Sequence, residues 1–260
     1  MRVKDGTPVH RGMRGTLRSV PLAFAPLLLV AACAHGLAAA PPPPGFALRH
    51  EPADEGAAEQ VARVLPGAVN RVERWGPLSG PITIRIHPSH AALAESVGRP
   101  DDAWLRAWAR RDSIEVQSPR TWSRGNASDP ALATLLAHEL THCLLFQRIG
   151  PRWTERGVPG WFEEGLASFT AGEQHHRANP AALRPTSGAV RSDAALAYGT
   201  ADRAFRELVN RHGEDAVHRL LSSLASGLDF PSAFEAATGT SVAAFENAFR
   251  ARLGPVATAP

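Results

Sequence analysis

The chain has 260 residues, 44% hydrophobic and 20% charged, enough apolar material for a real core and too much for a disordered protein. Its net charge of +3 comes from scattered arginines, with no basic run interleaved with aromatics, so nucleic acid is not an expected partner. Two cysteines exclude a disulfide-rich scaffold.

Arg11, Arg14 and Arg18 precede an apolar stretch over 21–32 that is too short to span a bilayer, which is the layout of a secretory signal. The stretch closes on Val30-Ala31-Ala32-Cys33, which resembles a bacterial lipobox. That resemblance implies cleavage before Cys33 and lipid on the new terminal cysteine, making 1–32 a lipoprotein-type signal peptide. An ordinary signal with an incidental cysteine is the alternative, and Met13 is an alternative start. Residues 33–46, with four prolines at 41–44, read as lipid anchor and stiff linker. The folded domain is expected over 47–252 and a loose tail over 253–260. The expected location is outside the cytoplasm, tethered by lipid to a bacterial membrane and facing the periplasm or cell surface.

Residues 53–75 space apolar side chains at Val61, Val64, Leu65, Val69 and Val72, an amphipathic helix interrupted or bent near Pro66. The alternating, β-branched run over 81–87 reads as a half-buried strand, followed by a short helix over 89–97. The stretch 103–110 fits helix or strand, and 113–117 alternates again as a second strand. Asp129 is the expected N-cap, with Pro130 at the first helical position, of an apolar helix ending at Gly150. Helices follow at about 159–170, 194–211, 214–226, 232–238 and 241–252, with a polar loop over 172–192. Strands first and helices later indicate an α+β domain: a small N-terminal mixed sheet with helices, then a mostly helical half.

Residues 138–142 read H-E-L-T-H inside the helix that starts at 129. At a spacing of four on a 3.6-residue turn, His138 and His142 project from one face and can share one metal ion. Glu139, one step round, is placed to take a proton from water without ligating the metal. A catalytic zinc needs a third protein ligand and an open position. At 159–169 the chain reads P-G-W-F-E-E-G-L-A-S-F, which supplies two candidate acids, Glu163 and Glu164, that composition cannot separate.

Together these motifs resemble those of gluzincins, zinc peptidases in which a helix after the H-E-x-x-H helix supplies a metal-binding Glu. The aminopeptidase branch carries N-E-G-F-A there, and its match to E-E-G-L-A selects Glu164, with 21 residues between it and His142. Glu163 then reads as an exposed first-turn carboxylate complementing the helix dipole. The region from Tyr198 to Phe245 is similar to the helical tail of small bacterial peptidases related to thermolysin. The resemblance implies a zincin-like domain, one zinc ion per chain, and a peptide or protein substrate bound along an edge strand. Ile114, Glu115 and Val116 are assigned to that strand. Metzincins do not fit, because no third His follows at their spacing. Thermolysin-like sequences carry an Asp four residues after the ligand Glu; here Ser168 stands in that place.

In such enzymes the equivalent of Glu139 accepts a proton from zinc-polarised water and returns it to the leaving amine. Tyr198, the only tyrosine, is the expected oxyanion donor, with His175 and His176 as competitors and a packing role as its bland alternative. Cys143 reads as a small buried hydrophobe. His87, His90, His212 and His218 have no partner at ligand spacing, and the tryptophans read as packing. An inactive or non-peptidase zinc-binding lipoprotein on the same fold is the rival reading. Nothing in the pattern specifies an oligomeric state.

Overall fold

The computed structural model describes residues 41–122, 127–150, 155–183 and 194–253; the expected signal, Cys33 and the tail beyond 253 lie outside them. The architecture is α+β, with seven helices and one four-stranded mixed sheet among these residues. In chain order the elements are β1 (Phe46–Arg49), α1 (Glu55–Glu73), β2 (Ile82–His87), α2 (His90–Val97), β3 (Ala107–Ala109) and β4 (Ser113–Gln117). Then come α3 (Asp129–Ile149), α4 (Gly160–Ala171), α5 (Ala194–Ala225), α6 (Phe230–Thr238) and α7 (Val242–Leu253).

The sheet order is β1-β2-β4-β3. The strands β1, β2 and β4 are parallel, and β3 pairs antiparallel with β4. In β2 the alternation does what it promises: Ile82, Ile84 and Ile86 are buried while Thr83, Arg85 and His87 point the other way. The parallel pair of β1 and β2 needs a crossover, and α1 provides it. β1 begins at Phe46, where the linker was expected to end. Four half-buried residues carry too little alternation to announce a strand.

Pro66 does not interrupt α1. It sits on the exposed side of one continuous helix whose Val61, Leu65, Ala68 and Val72 are buried. A mid-helix proline costs about 3 kcal/mol, and burying two such aliphatic side chains at about 1.5–3 kcal/mol each offsets it. Ser128, not Asp129, caps α3: its Oγ accepts from the Ala131 amide at 3.4 Å. Asp129 instead pairs with Gln60 and Arg63 of α1, at 2.9 and 2.8 Å. These contacts hold α1 beside α3, whose Leu132, Leu136, Leu140 and Leu144 lie fully inside the core.

The two helices expected over 194–211 and 214–226 are the two arms of α5, separated by a non-helical break at Gly213 (φ 75°, ψ 167°). Behind α4, the helices α5, α6 and α7 enclose an aromatic cluster of Trp161, Phe162, Phe205, Phe230, Phe234 and Phe245. No helix of the described residues is long and apolar enough to cross a membrane.

Candidate metal centre

Local helix geometry sets the first two groups. His138 and His142 stand one turn apart on α3, both buried, with ring centroids 5.0 Å apart. Crossing α3, α4 brings Glu164 to them: its Oε2 lies 3.4 Å from His138 Nε2 and 3.6 Å from His142 Nε2. A tetrahedral zinc with ligands at about 2.0–2.1 Å spaces its ligand atoms about 3.4 Å from one another. Both nitrogen-to-oxygen separations match that spacing, and the ligand atoms of the three residues all lie within 4.8 Å of one another.

Close helix packing makes this possible. A Cβ on Gly165 would come within 2.5 Å of the Ala201 carbonyl oxygen and 2.6 Å of Phe205 Cβ. Only a residue without a side chain lets α5 press against α4 there, one position after the carboxylate being placed.

The other imidazole nitrogens also face carboxylates. Glu173 Oε1 lies 3.1 Å from His138 Nδ1, and Glu163 Oε1 lies 3.3 Å from His142 Nδ1, both somewhat off a hydrogen-bond line. Such partners orient imidazoles so that Nε2 faces the ion. Glu163 is thus not an exposed first-turn acid: it is 6% exposed and turned inward onto His142. Glu173 is the residue that sequence reasoning missed. Gly172 ends α4 in the left-handed region (φ 74°), and the Glu173 amide donates back to the Ser168 carbonyl at 3.0 Å. This turn returns the next carboxylate toward His138. The signal was a helix-ending Gly followed by an acid. Ser168 itself is buried, and the carboxylate that faces His138 Nδ1 is that of Glu173.

The electrostatics follow from crowding these groups. Burial alone would pull His138 down, yet Glu164 and Glu173 lift it to about 10. His142 is likewise raised against the effect of burial, by Glu164 and Glu163. Burial opposes ionisation of Glu164, but the two histidines hold it at about 2. Glu173 is held well below the carboxylate range by His138 and His175, again against burial. Burial dominates at Glu139 and Glu163 and raises both. For Glu139 that is the direction a general base working near neutral pH needs. Four carboxylates and three imidazoles, those of His138, His142 and His175, share this cleft. Glu164 Oε2 is, in addition, buried without a hydrogen-bond donor. Two imidazole nitrogens and one carboxylate oxygen suit a divalent cation.

The group opens into a cleft of about 310 Å³. One wall is β3; the other is α3, and Tyr198 and His175 also line it. The Tyr198 ring lies 5.9 Å from that of His138 and stacks on His175 at 6.3 Å. Burial first, and then Glu164, Glu139 and Glu173, push the Tyr198 hydroxyl up, so it remains a proton-bearing donor. His175 pairs with Glu173 at 2.8 Å, whereas His176 is exposed outside the cleft. At Gly199 a Cβ would fall 1.8 Å from the Arg177 carbonyl oxygen. That missing side chain lets the loop after α4 lie on α5 beside Tyr198.

One expectation is overturned. Ile114, Glu115 and Val116 are not on an edge strand, because β4 is flanked by β2 and β3 and its main chain is committed to both. Glu115 is buried and pairs with Arg85 and His87, at 2.9 and 2.8 Å. Among the described residues the sheet edge beside the site is β3, which pairs with β4 alone and whose three residues were too few to declare themselves. Cys143 is fully buried on α3, its thiol against the Arg110 carbonyl at 3.1 Å, and burial pushes its pKa up.

The chain matches no protein-family model, no curated protein and no solved structure. What the site is rests on its own geometry. His138, His142 and Glu164 form a largely buried group that can hold a metal ion.

Proposed function

We propose that this protein is a zinc-dependent peptidase of the gluzincin kind, with a zincin-like catalytic domain. The observation that carries the reading is the convergence of Glu164 Oε2 on His138 Nε2 and His142 Nε2, at 3.4 and 3.6 Å, with Glu139 beside them in the cleft. Zinc held by these three residues supplies Lewis acidity to a water molecule and to a carbonyl oxygen.

The chain's own residues do the rest. Glu163 and Glu173 hold the two imidazoles with Nε2 inward. The outer edge of β3 pairs with the main chain of an extended peptide. Glu139 takes a proton as the water oxygen adds to the carbonyl carbon. It then delivers that proton to the amine nitrogen as the C–N bond breaks. The Tyr198 hydroxyl donates to the carbonyl oxygen as charge gathers there. Export and a lipid on Cys33 are the location this reading adopts, on the strength of the signal-like N-terminus.

Metal content and cleavage of a broad peptide library test it together. Glu139→Gln is expected to keep one zinc per chain and lose about 10²–10⁴-fold in rate. A protein that binds zinc and cuts no peptide is the non-peptidase rival. Zinc retained by Glu164→Ala and lost by Glu163→Ala would reverse the ligand assignment.

A further inference from the structure

The cleft holds four carboxylates and, among the described residues, a single Arg or Lys side chain, Arg106. All four acids have assignments in the reading above: Glu139 as base, Glu164 toward the ion, Glu163 on His142, and Glu173 on both His138 and His175. None is left to receive the α-amine of a substrate. Arg106 is in the opposite position. Its Nη1 donates to the carbonyls of Ala103 and Leu105, at 3.2 and 2.9 Å. Among the described residues no carboxylate lies within ion-pair distance of it. Nothing among the described residues bonds to Nε or Nη2 of this half-buried guanidinium, which suits them to a planar, two-pronged partner.

The same end of the cleft is narrowed. Trp104, two residues before Arg106, meets Tyr198 edge to face at 6.2 Å, so a residue leading into β3 touches one on α5 across the opening. An extended chain lying along β3 meets this aromatic pair, and a cation stands beside it.

We infer that the site accepts peptides by their carboxyl terminus: Arg106 binds the terminal carboxylate, and the Trp104–Tyr198 pair stops the chain from running on. This rests on the peptidase reading and narrows its substrate class to polypeptides cut near their C-terminal end. The guanidinium identifies which terminus is held, whichever direction the substrate strand runs.

The test uses N-acetylated peptides of one sequence ending either in a free carboxylate or in an amide. Binding is followed by tryptophan fluorescence on zinc-loaded Glu139→Gln, and cleavage on the wild-type protein. The free acid is expected to bind at least about tenfold more tightly than the amide, the scale of one charge-assisted pair. Arg106→Gln is expected to level the two, and Arg106→Lys to keep part of the difference. Equal binding of acid and amide, or a preference that survives Arg106→Gln, overturns the inference. Acid-selective binding without cleavage supports it while refuting the peptidase reading. Cleavage indifferent to the terminus does the reverse.

Discussion

Helix α4 has two buried faces that obey different rules. Toward α3 it presents Glu163 and Glu164, each within 4 Å of an imidazole nitrogen. Toward α5, α6 and α7 it presents Trp161 and Phe162. Phe162 lies 5.0 Å from Phe230 and 5.6 Å from Phe205, and Trp161 stacks on Phe245 at 5.3 Å. Burial on the aromatic face stabilises in proportion to area removed from water and needs no particular partner. On the acidic face burial destabilises every group taken alone. The groups persist because each has a counter-charge, so that face specifies an arrangement more than it adds stability. The aromatic face thus acts as the anchor that lets α4 hold carboxylates inside the protein.

That contrast can be broken by substitution. The largest change in stability is expected from Phe162→Ala, which empties the aromatic side. Unfolding by urea should show a loss of about 3–5 kcal/mol, while the protein that remains folded still binds metal. A loss below 1 kcal/mol would mean that the cluster is not the anchor.

Gly165→Ala tests the seam between the faces. Its new Cβ meets the Ala201 carbonyl and Phe205, so α4 and α5 must separate, at a cost of about 1–3 kcal/mol. Because Glu164 is adjacent, metal retention should weaken along with thermal stability. A change in one without the other would show that the faces are uncoupled.

Glu173→Gln probes the acidic side without touching a ligand. Zinc affinity, measured by competition with a chelator, should fall about 10–100-fold with little change in the unfolding of the metal-free protein. Equal affinity would show that Glu173 serves only the loop.

The smallest effect comes from a buried carboxylate with no metal nearby. Asp54 is fully buried, accepts from Ser118 Oγ at 2.6 Å and pairs with Arg120. Burial alone would raise its pKa, but Arg120 and Ser118 together lower it below the ordinary 3.8. A lowered folded value means that the stabilisation is present above the unfolded value. It is lost as the pH falls through 3.8 toward the folded one. Asp54→Asn should therefore flatten the acid limb of the stability curve and leave zinc affinity alone. An unchanged limb would show that the Arg120 pair is not felt in solution.

What could be read in advance was local. Four-residue spacing on a helix puts His138 and His142 on one face wherever the helix goes, and Glu139 follows from the same turn. Strand β2 and helices α3 and α4 were legible because periodicity repeats inside each segment. Glu164 needed more, since two adjacent acids look alike until the second motif is matched. β1 and β3 stayed hidden because strands of three or four residues are held by their neighbours and carry little pattern of their own.

By itself, then, the amino-acid order determined the elements whose information is periodic, and the H-E-x-x-H face that depends on one helix. Tertiary structure decided which strand is the edge, placing β4 inside the sheet and leaving β3 beside the cleft. It turned Glu163 inward, brought Glu173 back to His138 across a left-handed glycine, and set Arg106 among acids that do not claim it. The reason is physical. Helix and strand periods act over a few residues, whereas charge pairing and burial act through space between segments that the chain order leaves far apart.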